Sequence, residues 1–177
     1  MELQKTIQLL DDALKEMGVE RDLYICGGAA LILLRVSSRA TMDIDVVSPH
    51  IDRTLESAAE KVGKELGLQS NWLNNGPSDL LRYLDKGWKD RCSLSFDGLA
   101  LKIFSLSRLD LIRTKFWAAC DRMDDIPDIL TLRPTEEELA DAESWVLQCD
   151  GSEVWPKIVK ECRNEIERLL KLGGYNA

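Results

Sequence analysis

The chain has 177 residues, 45% of them hydrophobic and 31% charged, with a formal net charge of −8. This mixture predicts a globular protein and excludes a disordered chain or a fibre. The acidic balance excludes binding of nucleic acid or anionic membranes through bulk positive charge, so any phosphate contact must be local and metal-assisted. No run approaches the ~20 apolar residues of a membrane span, and the amino-terminal segment does not resemble a signal peptide. We therefore expect no membrane contact and a cytoplasmic location.

The cysteines and the histidine offer little for catalysis or metal binding. The only histidine, His50, follows Pro49 in a connecting segment and is interpreted as a solvated loop residue. The cysteines are odd in number, have no C-x-x-C spacing, and are interpreted as small buried hydrophobic residues. They are Cys26, Cys92, Cys120, Cys149 and Cys162.

Hydrophobic periodicity and turn residues predict the elements of the first part of the chain. In chain order these are helix 2–17, strand 23–26, helix 29–34, strand 42–48, helix 52–66, a short helix from Ser78 to about Lys86, and strands 92–96 and 99–106. The Gly27-Gly28 pair marks a turn between the first strand and the second helix. Asp97-Gly98 is typical of a two-residue hairpin turn.

The rest of the chain is predicted to be helical, over 107–122, 127–132, 134–148 and 153–172. Ser107 with Asp110 resembles a capping box at the start of the first of these helices. Pro134-Thr135 with Glu138 opens the third. The fold class is thus α/β of the α+β type, a small mixed sheet flanked by helices with a C-terminal helical extension. We expect a core over 1–106 and a helical region over 107–177 that packs on it as a single compact unit.

Two acidic residues stand out on the predicted strand 42–48. Asp43 and Asp45 are two positions apart and so share one face, while Ile44 and Val46 point to the other. Neighbouring carboxylates repel each other unless a cation lies between them, and magnesium prefers such oxygen ligands. The pair therefore indicates either a metal site or a solvated acidic face on an edge strand.

The Gly27-Gly28 pair lies before an apolar helix, where unencumbered backbone amides can approach a phosphate. Alone, such a pair most often marks a tight turn without a ligand. Together with Asp43 and Asp45 it favours a phosphate site, because the amides and a metal ion would serve the same phosphates.

These motifs resemble a known family. Residues 27–31, followed after a short interval by 39–46 (RATMDIDV), resemble the GG/GS…DxD signature of the nucleotidyltransferase superfamily with the DNA polymerase β-like fold. The block from Arg39 to Asp45 is similar to that of minimal bacterial nucleotidyltransferases related to the AbiEii toxins of abortive-infection systems. Residues 114–118 and 125–129 (DIPDI) resemble two further blocks of those proteins, so the resemblance spans about 20–132.

The resemblance implies transfer of a nucleotide from a nucleoside triphosphate to an acceptor such as an RNA end, a protein or a small molecule. It implies Mg²⁺ or Mn²⁺ held by Asp43 and Asp45, which with Lys115 form the catalytic set. A cognate antitoxin-type partner is also implied. The implied nucleotide-binding residues are Gly27, Gly28, Arg39, Thr41, Lys115 and Arg122.

The seven-residue spacing of Arg108, Lys115 and Arg122 predicts a basic stripe along one helix. It is compatible with a phosphate contact at Lys115. An ordinary solvated face, with salt bridges to Asp121 or Asp125, explains the spacing equally well.

One departure from the family concerns a third carboxylate on a later strand. Residues 99–104 contain no acidic residue, and Lys102 lies at their centre. Either a single magnesium ion suffices, with Asp125 or Asp128 as additional ligands, or the fold is a catalytically silent binding or interaction protein.

Overall fold

The computed structural model describes residues 1–173, which divide into two compact units. The first comprises Met1–Ser107 and the second begins at Arg108. Within the described residues, no helix combines the length and the apolar character that crossing a membrane requires.

The first unit contains three helices, five strands and two 3-10 helices in its described sequence. They are α1 (Leu3–Glu16), β1 (Arg21–Cys26), α2 (Gly27–Leu33), β2 (Ile44–Ser48), α3 (Arg53–Leu66), β3 (Leu73–Asn74), 3-10 helices Gly76–Arg82 and Trp88–Arg91, β4 (Ser93–Asp97) and β5 (Leu101–Ser105). The described part of the second unit is helical: α4 (Arg108–Asp121), 3-10 helix Met123–Asp125, α5 (Ile126–Leu132), α6 (Glu136–Val146) and α7 (Trp155–Lys171).

The five strands form one mixed sheet in the order β3-β2-β1-β5-β4. β1 is parallel to β5 and antiparallel to β2, while β3 is parallel to β2 and β4 antiparallel to β5. The predicted fold class, a small mixed sheet with helices and a C-terminal helical extension, is confirmed.

One face of the sheet belongs to the core of the first unit. Its side chains are fully buried and alternate along the strands: Leu23, Ile25, Ile44, Val46, Leu101 and Ile103. α1 and α3 each bury one apolar face and pack on each other. α3 begins where the Asp52 carboxylate accepts the Leu55 amide at 2.9 Å, and ends at Gly67, whose φ of 65° suits a left-handed cap.

Several predicted boundaries are wrong. The strand predicted over 42–48 begins only at Ile44, so Asp43 precedes it. Gly27 and Gly28 are the first residues of α2 and do not form a separate turn. The two-residue β3 was not predicted, and 3-10 helices replace the single short helix expected after Ser78.

The hairpin between β4 and β5 has its tip at Leu99-Ala100, two residues beyond the predicted Asp97-Gly98 turn. The cause is Asp11 of α1, which is 1% exposed and accepts the amides of Leu99, Ala100 and Leu101 at 3.1, 2.7 and 2.7 Å. A β-carbon at Gly98 would collide with the Asp11 carboxylate. The carboxylate therefore clamps the turn to the first helix.

The second unit is built around α4, which contacts α5, α6 and α7. The predicted opening of a helix at Thr135 and Glu138 is confirmed, and it takes the form of a capping box: the Thr135 hydroxyl accepts the Glu138 amide at 3.2 Å and the Glu138 carboxylate accepts the Thr135 amide at 2.8 Å. α7 presents the nearly buried Arg163, whose guanidinium pairs with Glu143 at 3.1 Å. The helices are thus joined by buried charge pairs as well as by apolar contacts.

Candidate active site

The junction of β1 and α2 lies against β2. Cys26, the last residue of β1, is paired with Asp45, and Gly27 follows with a φ of 70°. A β-carbon at Gly27 would run into the Asp45 carboxylate. Glycine is required here both for its backbone conformation and for this close approach. The carboxylate therefore lies directly against the backbone at the start of α2.

Gly28 has a corresponding neighbour in Thr41. A β-carbon at Gly28 would lie 3.2 Å from the Thr41 hydroxyl oxygen. That hydroxyl lies 3.3 Å from the Asp43 carboxylate and 3.2 Å from the Asp43 carbonyl oxygen, and can donate to either. The ammonium of Met1 donates to the Thr41 carbonyl at 3.2 Å. Thr41 thus links the second glycine to the first of the two aspartates.

Asn74 is a neighbour of the site that the sequence interpretation missed. It is paired with Asp45 across β2 and β3, and its side-chain amide donates to the Asp45 carboxylate at 3.2 Å. The side-chain carbonyl oxygen of Asn74 accepts the Gly76 amide at 2.7 Å. The run Asn74-Asn75-Gly76-Pro77 is typical of a turn, so its local pattern contained no sign of this contact.

The oxygen ligands of this site fit a hard divalent cation. Asp43 and Asp45 supply two carboxylates, and Mg²⁺ is commonly bound by one or two carboxylates with water and substrate phosphates in its other positions. Within residues 1–173 no group of three His, Cys, Asp or Glu side chains could hold a metal ion. On β5 the exposed Lys102 pairs with Asp97 at 3.7 Å. Two carboxylates alone would leave most positions of such a cation to water and substrate phosphates.

Lys115 lies on α4 in the second unit and is only 8% exposed. Its ammonium is 3.2 Å from the Asp125 carboxylate and 2.6 Å from that of Asp128. Burial alone would lower the pKa of Lys115, but the hydrogen bond and charge of Asp128, followed by those of Asp125, outweigh it and raise the pKa. Asp125 and Asp128, predicted as additional metal ligands, are thus partners of a buried lysine.

The two arginines of the predicted basic stripe are also paired within the second unit. Arg108 donates to Glu138 at 2.7 and 3.0 Å, and Arg122 lies 3.3 Å from Asp125. The alternative of a solvated face is wrong for Lys115, because its side chain is buried between two carboxylates. The salt bridge to Asp125 that this alternative named is confirmed for both Lys115 and Arg122. Arg122 is largely exposed.

The structure therefore brings five of the predicted site residues together in the first unit: Gly27, Gly28, Thr41, Asp43 and Asp45. Arg39 lies in the same connection between α2 and β2, with an exposed side chain. Lys115 and Arg122 belong to the second unit.

In this mixed sheet Gly27, at the start of α2, lies against Asp45 of β2, and Gly28 lies against Thr41, whose hydroxyl reaches Asp43. The arrangement is consistent with a nucleotidyltransferase fold. The chain belongs to the family described as "Nucleotidyltransferase of unknown function (DUF6036)", whose sequence model matches residues 2–140. This range includes the whole described sheet and ends within the first half of α6. Comparison with curated proteins and with solved structures gives no match.

Proposed function

We propose that this protein transfers a nucleotide from a nucleoside triphosphate to an acceptor, with Mg²⁺ or Mn²⁺ held by Asp43 and Asp45. The observation that carries the proposal is the contact between the Asp45 carboxylate and the Gly27 backbone. A metal ion at the carboxylate and phosphate oxygens at the glycines would then be neighbours. The membership of the nucleotidyltransferase family supports the same reaction class.

Each residue of the site has a separate task in this proposal. Gly27 and Gly28 let the Asp45 carboxylate and the Thr41 hydroxyl approach the backbone at the start of α2, because a side chain at either position would meet those groups. Asp43 and Asp45 hold the cation, and the Thr41 hydroxyl orients the Asp43 carboxylate. Asn74 orients the Asp45 carboxylate from the other side. The bound cation would neutralise charge on the triphosphate as the bond to the leaving pyrophosphate breaks.

The acceptor and the biological setting rest on resemblance alone. The similarity of residues 39–46 to minimal bacterial proteins of the AbiEii type supports a toxin-like role with an antitoxin-type partner. An RNA end, a protein side chain or a small molecule would serve as acceptor.

A second candidate function is favoured by one observation, the lysine on β5 where many relatives in the superfamily place a third carboxylate. In that case the first unit binds a nucleotide or a partner without turnover. Incubation of the pure protein with Mg²⁺, labelled nucleoside triphosphates and bulk RNA separates the two. Incorporation of label supports transfer, whereas tight nucleotide binding without incorporation supports the silent protein.

The metal and nucleotide site is tested by thermal unfolding. A ligand that binds only the folded state stabilises it, by about 2.7 kcal/mol at a hundredfold excess over its Kd. We expect Mg²⁺ with a nucleoside triphosphate to raise the Tm of the parent protein. The double variant Asp43→Asn/Asp45→Asn should lose this shift and keep its fold, since neither side chain belongs to the apolar core.

The control variant is Asp97→Asn, which removes an exposed carboxylate of the same sheet that pairs with Lys102. It should retain the full shift. If the double variant responds to the nucleotide as the parent does, the phosphates and the metal do not bind at Asp43 and Asp45.

A further inference from the structure

Three aromatic rings and one cation form a cluster on the sheet of the first unit. The rings of Tyr24 and Phe104 stack with centroids 5.0 Å apart, and Trp88 meets Tyr24 edge to face at 5.3 Å. The ammonium of Lys89 lies 4.5 Å from the centre of the Tyr24 ring and 5.6 Å from that of Trp88. We call Tyr24, Trp88, Phe104 and Lys89 the ring cluster.

The ring cluster lies on the same face of the sheet as Asp45. Asp45 is paired with Cys26, and Tyr24 is two residues before Cys26 on β1, so its side chain points the same way. Phe104 is paired with Tyr24 across β1 and β5 and shares this face. Two residues of a strand span about 7 Å, which places the rings close to the carboxylate along the sheet.

Exposure distinguishes this face from the opposite one. The alternate side chains Leu23, Ile25 and Ile103 are fully buried in the core. Tyr24, Trp88 and Phe104 are each partly exposed. Aromatic rings that are not fully enclosed, next to a lysine, offer both a stacking surface and a positive charge.

The chemistry of this surface matches one part of a nucleotide. Bases stack on aromatic side chains whatever their identity, because every base has a π face. A ribose separates the base of a nucleotide from its phosphates, and neighbouring same-side residues of a strand lie about 7 Å apart. A triphosphate at Gly27 and Asp45 would therefore direct its base along β1 toward the ring cluster, where Lys89 attracts the anionic ligand.

We propose that the ring cluster is the base-binding subsite of the nucleotide, with Trp88 as its principal stacking residue. This inference rests on the proposed function, because it assumes phosphates at Gly27 and Asp45. Purine nucleotides bind more tightly than pyrimidine nucleotides here, since their larger ring system covers more of the aromatic surface.

Titration calorimetry with the full chain separates the base from the phosphates. The ligands are ATP, UTP and inorganic tripolyphosphate, each with Mg²⁺. Trp88→Leu should weaken ATP binding about 5- to 150-fold, the range expected for loss of one stacking contact, and leave tripolyphosphate binding unchanged. Trp88→Phe keeps an aromatic ring and should retain most of the ATP affinity. Leu99→Ala removes an exposed apolar side chain at the hairpin tip and should bind as the parent does.

A second measurement does not depend on the folding of the leucine variant. The change in tryptophan fluorescence on addition of ATP should be present in the parent and largely lost in Trp88→Phe, because the other tryptophans lie outside the ring cluster. ATP should also bind the parent more tightly than UTP does.

The outcomes distinguish this inference from the proposed function. Equal loss of ATP and tripolyphosphate binding in Asp45→Asn, with no effect of Trp88→Leu, leaves the phosphate site standing and overturns the ring cluster as a base subsite. Binding of neither ligand by the parent overturns both proposals. If Trp88→Leu weakens binding of a single-stranded oligonucleotide but not of ATP, the cluster serves an acceptor strand and the inference is wrong.

Discussion

Replacement of Lys115 by methionine tests how the second unit is stabilised. The substitution keeps a long side chain and removes the charge of a lysine whose side chain is 10% exposed. The two carboxylates left behind are 17% exposed at Asp125 and 13% exposed at Asp128, so neither is fully solvated. Asp125 retains the exposed Arg122 at 3.3 Å, whereas Asp128 loses the shortest contact.

The expected loss of stability in Lys115→Met follows from the cost of removing one partner of a buried ion pair. Removal of one partner of a fully buried ion pair costs about 3 to 5 kcal/mol, and partial exposure here reduces the expected loss to about 2 to 4 kcal/mol. The double variant Lys115→Met/Asp128→Asn should recover part of the loss, with a coupling of about 1 to 3 kcal/mol between the two sites.

The assay is urea unfolding followed by circular dichroism, with Lys157→Met as the matched control. Lys157 also lies on a helix of the second unit but is 80% exposed and 3.9 Å from Glu161. Its replacement should cost about 0.5 kcal/mol or less. If Lys115→Met costs no more than Lys157→Met, the geometry around Lys115 does not stabilise the protein.

The contribution of Lys115 to stability depends on pH in a definite direction. The pKa of Lys115 is raised in the folded protein, so its stabilising contribution is complete below its ordinary pKa of about 10.4 and is lost only as the pH rises through the higher folded value. The difference in stability between the parent and Lys115→Met should therefore not fall between pH 7 and 9.

Two further substitutions test the contacts that shape the first unit. Gly27→Ala should lower the free energy of unfolding by about 2 to 3 kcal/mol and abolish the nucleotide-induced Tm shift. Gly18 has a similar φ of 68° but no atom within 4 Å, so Gly18→Ala should lower it by only about 1 to 2 kcal/mol and retain the shift. Equal effects of both variants on the shift would contradict a role for the Asp45 contact. Asp11→Asn places an amide group among three backbone donors and should lower the free energy of unfolding in urea by about 2 to 4 kcal/mol. The control Asp12→Asn, at an exposed residue, should lower it by less than about 0.5 kcal/mol. Unchanged hydrogen exchange of the Leu99–Leu101 amides in the Asp11 variant would contradict the clamp.

The parts of the fold that could be predicted are those whose signal is local. α1, α3 and α7 each bury a regular stripe of apolar residues, and a period of 3.6 is visible without knowledge of the partner. β3 has only two residues and exists because β2 lies beside it, so no pattern of its own could reveal it. The hairpin tip lies two residues beyond its predicted position because Asp11, 88 positions from Leu99, accepts its amides.

The candidate site also contains residues whose positions could be predicted from local sequence and residues whose contacts could not. The neighbourhood of the glycine pair and the two aspartates could be predicted from their motif, because glycines before a helix permit close approach. The position of Asp43 outside β2 could not. Asn74 could not, since its contact with Asp45 depends on the register of β3. The sequence interpretation also identified Lys115 and Asp128 as separate site candidates, but only their three-dimensional arrangement shows that they neutralise each other.

The position of β1 in the sheet has a consequence for how the chain folds during synthesis. One edge of β1 pairs with β2, which follows within 30 residues, but the other edge pairs with β5, whose register extends to Ser105. Until Leu101 has been translated, β1 exposes an unpaired edge, and the carboxylate of Asp11 has no amide partners from the hairpin. At about 5 to 20 residues per second this interval lasts several seconds, which exposes an aggregation-prone strand edge on the nascent chain. A fragment that ends before Leu101 should therefore aggregate, whereas one that includes the complete hairpin can close the sheet.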